Sequence, residues 1–437
     1  MDTDPHSILM GERMNRLQVL AVALTVCLNG IDGYDVLSIS FASPGIASAW
    51  GINRAALGLV LSMELMGMAV GSILIGSLAD RLGRRPVLLG CLVLMATGML
   101  MATTASGVTD LSVWRLLTGF GIGGMLAATN AAAAEFASTR RRNLCVSLMA
   151  IGYPLGAVIG GHFAAVLLQH HDWRTVFLLG ACTTAAFLPL VWLWVPESPV
   201  WLYLQQPAGA LARLNHALAR LGCRALTSLP SPPAAAPKLS ITDIFAPGLA
   251  GTTILMTLAY ALHITTFYFI IKWVPKIVVD MGFAPAAAAG VLVWANVGGA
   301  TGGALLGLVA QRLGARRVTI VALVLSVLMV TWFGHGQATL HQLALICAAT
   351  GFFTNAGVVG IYALLAQVFP THVRAFGTGF VIGIGRGGSA LAPLVAGLLF
   401  TAGFGLQFVA IAMSAGSLVA ALALLRLRVA EETVHHA

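Results

Sequence analysis

The 437-residue chain is 58% hydrophobic and only 9% charged, with a mean hydropathy of +0.91, which excludes an ordinary soluble domain and points to an all-α integral membrane protein. Its formal net charge of +9 predicts no nucleic-acid partner, because such a footprint is a clustered face on a soluble domain. The six cysteines are scattered singly, with no CxxC pair and no His/Cys cluster at metal spacing, so they read as small apolar fillers and no metal or cofactor is expected.

A spanning helix needs about 20 mostly apolar residues. Such runs predict twelve spans, at 17–42, 54–79, 86–106, 110–136, 143–169, 173–195, 248–275, 283–310, 316–334, 339–366, 373–401 and 403–427. No cleavable signal is expected, since Asp2, Asp4 and Glu12 precede a first run long enough to span. Eighteen Lys and Arg, from Arg13 and Arg16 through to Arg426 and Arg428, fall on one set of loops and tails, against Arg54, Arg174 and Lys276 on the other. The positive-inside rule then predicts that both termini and the central loop are cytoplasmic. The expected domains are a six-helix bundle over 1–195, a linker over 196–247 and a second six-helix bundle over 248–437.

The linker ends in "PSPPAAAPK", Pro230 to Lys238, which cannot hold a helix. Before it, Leu211, Leu214, Leu218 and Leu221 recur at helical spacing. Two readings of this amphipathic helix stand: it lies on the membrane surface, or it packs on its own protein.

The halves repeat at a fixed offset. "GSLADRLGRRPV" from Gly76 matches "GLVAQRLGARRV" from Gly307, 231 residues on, and "TGFGIGG" from Thr118 matches "TGFFTNAG" from Thr350, 232 residues on. Glu135 meets Gln367 and Arg142 meets Arg374. Six helices repeated in one orientation imply parallel halves related by an axis along the membrane normal.

These features resemble the major facilitator superfamily over essentially the whole chain. Its loop signature between the second and third spans is present as Gly76, Asp80, Arg81, Gly83, Arg84 and Arg85, and "PESPVWL" from Pro196 resembles a motif of sugar porters and organic-acid transporters. Asp80 lies at a helix end with arginines behind it, so it can pair in one rocking state and not the other. Glu135 and Arg142 can join that latch, and the second half has Gln311 and Gln367 in the acid positions. The other reading makes these charges mere topology markers.

Ionisable groups at membrane depth cost about 2.5–3.5 kcal/mol each and mark function by default. Six are clear: Asp32, Asp35, Glu64, Arg115, Lys272 and Arg386. Asp32 and Asp35 lie three apart and share a helix face, so one proton can be held between them, with Glu64 as a further proton site. Depth counted from the predicted helix ends pairs Arg115 with Asp35. Gly30 and Gly33 are expected to loosen the first helix beside the acids. Arg386 offers a planar fork for a carboxylate, or it locks helices together. Lys272 is a second anchor, or it snorkels outward with Lys276. Flat walls for a ring are expected from Tyr34, Phe267, Tyr268, Trp294 and Tyr362, and hydroxyl partners from Asn130, Asn296 and Asn355. His263 is a further candidate contact, although a lone helical histidine is more often a packed hydrogen-bonding residue.

"DGYD" narrows the resemblance to the aromatic acid:proton symporters, whose helix-one acids, helix-four arginine and acid, and "GIGRGG" arginine match Asp32, Asp35, Arg115, Glu135 and Arg386. The resemblance implies uptake of an aromatic carboxylate with a proton, driven by the proton gradient across a bacterial inner membrane, by a protein that works as a monomer among lipid. Alternatives are a dicarboxylate such as muconate, a sugar acid, or drug/proton antiport. Against antiport, Ala157 stands in "GYPLGAVIGG" where a GPxxGG pattern would place its proline. Neither an enzyme nor a receptor accounts for the acids as well.

Overall fold

The computed structural model describes residues 14–221, 225–229, 240–336, 338–370 and 372–427. "PSPPAAAPK" and residues Arg13, Cys223, Arg224, Lys238 and Arg428 lie outside them. Twelve described helices are long and apolar enough to cross a membrane, as expected where no water can satisfy an open backbone. They are α1 (Arg16–Trp50), α2 (Arg54–Leu82), α3 (Arg84–Thr104), α4 (Val108–Phe136), α5 (Arg142–Leu167), α6 (Arg174–Trp194), α10 (Ala250–Asp280), α11 (Pro285–Leu313), α12 (Ala315–Gly334), α13 (Leu340–Val368), α14 (Arg374–Thr401) and α15 (Leu406–Arg426). Between α6 and α10 lie the short helices α7 (Pro199–Gln205), α8 (Ala210–Arg220) and α9 (Ile241–Ile244).

Each predicted span falls on one helix. The largest departure is α1, predicted to end at 42, which continues through Pro44 to Trp50. A proline removes one backbone donor, yet a membrane helix tolerates it where its neighbours re-satisfy the freed carbonyl. Consequently Asp35 lies fifteen residues, about 22 Å, from that helix end, deeper than the sequence count placed it.

The helices form two compact units, Met1–Ala42 with Met63–Ala236, and Ser43–Ser62 with Pro237–Ala437. Because these helices are apolar all round, a hydrophobic stripe cannot choose their packing faces; small residues do. In the first unit Gly119 of α4 meets α2 so closely that a Cβ there would stand 2.0 Å from the Glu64 carbonyl oxygen. In the second, Gly351 of α13 meets α11 the same way, 1.9 Å from the Ala295 oxygen. These two glycines are 232 residues apart, so the sequence repeat is also a repeat of packing.

The linker's α7 and α8 belong to the first unit. Trp201, Leu202, Leu214, Ala217, Leu218 and Leu221 form one buried cluster, with Leu17 of α1 against it, and Asn15 donates to the Leu221 carbonyl. The apolar face of α8 is therefore laid on its own protein, while Leu211 stays only partly covered.

The α2–α4 contact carries a direct test. Gly119→Ala is expected to destabilise the detergent-solubilised protein by about 1–3 kcal/mol, the usual range for overpacking. Gly90→Ala, where a Cβ meets nothing within 4 Å, is expected to leave thermal unfolding unchanged or slightly raised.

Candidate functional site: two sets of buried charges

Close α2–α4 packing brings Glu64 within reach of Arg115, one turn before Gly119. Both side chains are fully buried and form an ion pair. The same Arg115 Nη2 donates to the backbone carbonyl of Asp35 at 2.9 Å, and Nη1 to the Met99 sulfur at 2.9 Å. Its guanidinium lies over the Phe177 ring, 5.3 Å from the centroid. Arg115 does lie level with Asp35, but it takes the Asp35 backbone carbonyl, and its ion pair is with Glu64, which the close α2–α4 contact at Gly119 brings to it.

Asp32 and Asp35 are 1% and 0% exposed. Asp35 Oδ2 accepts from Thr184 of α6 at 3.3 Å, whereas Asp35 Oδ1 and both Asp32 carboxylate oxygens have no hydrogen-bond partner. Three acids against one guanidinium leave two negative charges uncompensated in this buried set if all are ionised. Gly33 does not loosen α1: a Cβ there would stand 2.0 Å from the Tyr153 carbonyl oxygen of α5, so close packing fixes the acids. Tyr34 is likewise committed, its hydroxyl donating to the Val176 carbonyl at 2.6 Å. Asn130 lies exposed on α4.

In the second unit Lys272 is fully buried, so it does not snorkel, while Lys276 pairs with Asp280 at the helix end. Arg386 is half-buried on α14, and its backbone carbonyl accepts from Ser389 at 2.6 Å. His263 is a buried tie between helices. Its Nε2 meets the Thr354 carbonyl and its Nδ1 the Ser417 hydroxyl, both at 2.8 Å. A carbonyl only accepts, so Nε2 carries hydrogen and neither nitrogen is left for a ligand. Asn296 donates to Leu292 in its own helix at 2.9 Å, and Asn355 bridges to the Gly299 carbonyl of α11 at 2.7 Å. Trp294 is 54% exposed, on the stripe of α11 that carries Leu305 and Leu308. Tyr362 is exposed and Tyr268 half-buried: Tyr362 shares a hydrogen bond with Tyr260 at 3.0 Å, and Tyr268 meets Phe267 edge-to-face at 5.3 Å.

At the arginine-rich end of the first unit, Arg84 donates to Glu135 at 2.8 Å and to Asp80 at 2.7 Å. Arg85 donates to the Trp192 carbonyl at 2.6 Å, Gly76 packs on Ala127 of α4, and Arg81 and Arg142 are exposed. Gly83 turns the chain with φ 105° and admits the Glu197 carboxylate. Glu197 Oε1 accepts from the backbone N–H groups of Arg84 at 2.8 Å, Arg85 at 3.3 Å and Ser198 at 2.9 Å, so it caps α3 from the linker. Burial pushes the Glu197 carboxyl up, although these N–H donors and Arg213 pull it down. Trp201 seals the corner by donating to the Asp80 carbonyl at 2.9 Å.

Sequence reasoning missed Glu197, Thr184 and Tyr260 as members of these sets. "PESPVWL" was a usable signal for the first; a single Thr or Tyr in an apolar run gives none.

The family model of the Major Facilitator Superfamily matches residues 22–305 and 256–437. The chain belongs to that superfamily. It is a multi-pass membrane transporter rather than an enzyme. Among curated relatives of this superfamily member, the gallate transporter of Pseudomonas putida is 32% identical over 93% of this chain and 91% of its own length. The 3-(3-hydroxy-phenyl)propionate transporter of Escherichia coli is 31% identical over 93% of each. The 4-hydroxybenzoate transporter of Pseudomonas putida is 27% identical over 89% of this chain and 87% of its length. Among solved structures, the inward open xylose transporter XylE of E. coli superposes with a TM-score of 0.72 at 16% identity, over 94% of this chain and 97% of that one. At that identity the likeness is one of fold.

The Arg115–Glu64 pair predicts strong coupling. Arg115→Gln alone is expected to destabilise by about 3–5 kcal/mol, because it strands buried carboxylates. Adding Glu64→Gln is expected to restore part of that loss, a non-additivity of about 1–3 kcal/mol in thermal or denaturant unfolding.

Proposed function

We propose that the chain is a proton-coupled symporter that imports an aromatic carboxylate by alternating access. The observation that carries this reading is the charge imbalance of the first unit. Three buried acids face one cation, and the Asp32 carboxylate has no hydrogen-bond donor. An ionised carboxylate so placed is costly. A proton on Asp32, or shared with Asp35, reduces the imbalance, and releasing it changes the charge state of the buried set. Glu64 is the balancing partner of Arg115 rather than the site that cycles.

The second unit supplies the opposite sign. Lys272 is buried and Arg386 half-buried on its spans, and the Arg386 guanidinium is a planar fork that suits a carboxylate. Phe267, Tyr268 and Tyr362 offer ring surface beside polar tips. Curated relatives named for gallate, 3-(3-hydroxy-phenyl)propionate, 4-hydroxybenzoate and benzoate support an aromatic acid as cargo. The Arg84–Glu135–Asp80 network with the Glu197 cap serves as a latch on the first unit. The bias of eighteen cationic residues against three supports cytoplasmic termini in an inner membrane, and nothing in the mechanism requires more than one copy.

The test is uptake of labelled 4-hydroxybenzoate, 3-hydroxyphenylpropionate and gallate into proteoliposomes with and without an inward proton gradient. Wild type is expected to accumulate at least one acid only with the gradient. Asp32→Asn is expected to keep substrate exchange and lose accumulation, and Arg386→Ala to lower kcat/KM about a hundredfold, as expected for removing a charge-assisted bidentate contact. Full gradient-driven accumulation in both Asp32→Asn and Asp35→Asn would contradict the coupling role.

A further inference from the structure

Tyr260 of α10 touches two neighbours within the second unit. Its ring lies against the backbone of Gly385 on α14, where a Cβ would fall 2.0 Å from Cδ1, so it packs on the residue that precedes Arg386. Its hydroxyl meets that of Tyr362 on α13 at 3.0 Å, with ring centroids 5.7 Å apart. Arg386 and Tyr268 are within electrostatic reach of the same hydroxyl. Tyr260 is 3% exposed and Tyr362 is 40% exposed.

Two phenols carry two O–H donors, and their mutual hydrogen bond uses one of them. Were Tyr362 the donor, the Tyr260 proton would point into packed interior, where a buried donor left unpaired is unfavourable. The buried hydroxyl is therefore the donor, and Tyr362 keeps its own proton for the exposed side. A guanidinium at mid-membrane belongs on a water-accessible face, and Tyr260 couples Tyr362 to the segment bearing Arg386. Phe267 and Tyr268 add apolar ring surface to the same cluster.

We propose that Tyr362, oriented by Tyr260, donates a hydrogen bond to a ring hydroxyl of the aromatic carboxylate held at Arg386, and so makes the transporter prefer hydroxylated aromatic acids to unsubstituted ones. This rests on the functional reading above and deepens it. Discrimination follows because an acid without the hydroxyl displaces water from Tyr362 and returns no acceptor, and sites built to meet a hydroxyl reject analogues that lack one.

The experiment compares gradient-driven uptake of 3-hydroxybenzoate, 4-hydroxybenzoate and benzoate by wild type, Tyr362→Phe and Tyr260→Phe. Wild type is expected to favour a hydroxylated acid over benzoate by at least about tenfold in kcat/KM. Tyr362→Phe is expected to remove most of that preference by weakening the hydroxylated acid alone, with benzoate uptake as the internal control for folding. Tyr260→Phe, which leaves Tyr362 in place without its orienting donor, is expected to give a smaller loss in the same direction. Equal losses for hydroxylated and plain acids would overturn the inference by placing Tyr362 on the carboxylate or in the scaffold, and so would no loss at all. A wild type that accumulates none of the three overturns the functional reading, and this inference with it.

Discussion

The buried Arg115 is the interaction on which the first unit depends. At membrane depth a charge without a counter-charge is expensive, and this guanidinium answers several needs at once: it neutralises Glu64, holds the backbone of Asp35 and lies on Phe177. It can do so only because Gly119 lets α4 come up against α2 at Glu64. Packing, ion pairing and the fixed position of the acids are one constraint seen at three scales. What Arg115 does not satisfy is the Asp32 carboxylate, whose oxygens have no hydrogen-bond partner, and the proposed proton coupling rests on that.

The two units divide the electrostatic labour. The first buries Asp32, Asp35 and Glu64 with Arg115, whereas the second carries Lys272 buried and Arg386 half-buried, with no buried Asp or Glu among its described residues. The sequence repeat makes that division intelligible. The same glycine-mediated helix contact is built twice, at Gly119 and at Gly351, while the charged residues placed on it have diverged. Gln311 and Gln367 replace Asp80 and Glu135, and the Arg84–Glu135–Asp80 ion pairs with the Glu197 cap lie on the first unit.

The spans, the repeat and the buried charges were legible because each is written in one dimension, as runs of apolar residues, a constant offset, or an ionisable residue where apolar ones are expected. Partner choice was not. Depth placed Arg115 beside Asp35, where it meets the Asp35 backbone carbonyl, but the α2–α4 contact that brings Glu64 to it as ion-pair partner is not written along any one helix. Tyr34, His263 and Asn355 looked like ligand contacts by residue type, yet each is taken up by a backbone carbonyl of a neighbouring helix. Such bonds depend on helix rotation and proximity, which an apolar-all-round sequence does not encode in its pattern. The amphipathic linker helix shows the same limit, since its apolar face suits a lipid surface and a protein surface equally, and contact with Leu17 and Trp201 decided between them.

The central claim is that the aspartate pair takes up and releases the coupled proton. Substrate-induced infrared difference spectroscopy on the reconstituted protein tests it most directly, since a protonated carboxyl has its own carbonyl stretching band. The account predicts a substrate-dependent change in that band which disappears in Asp32→Asn and persists in Glu135→Gln. A band change unaltered in both Asp32→Asn and Asp35→Asn would contradict it and place the coupled proton elsewhere in the protein.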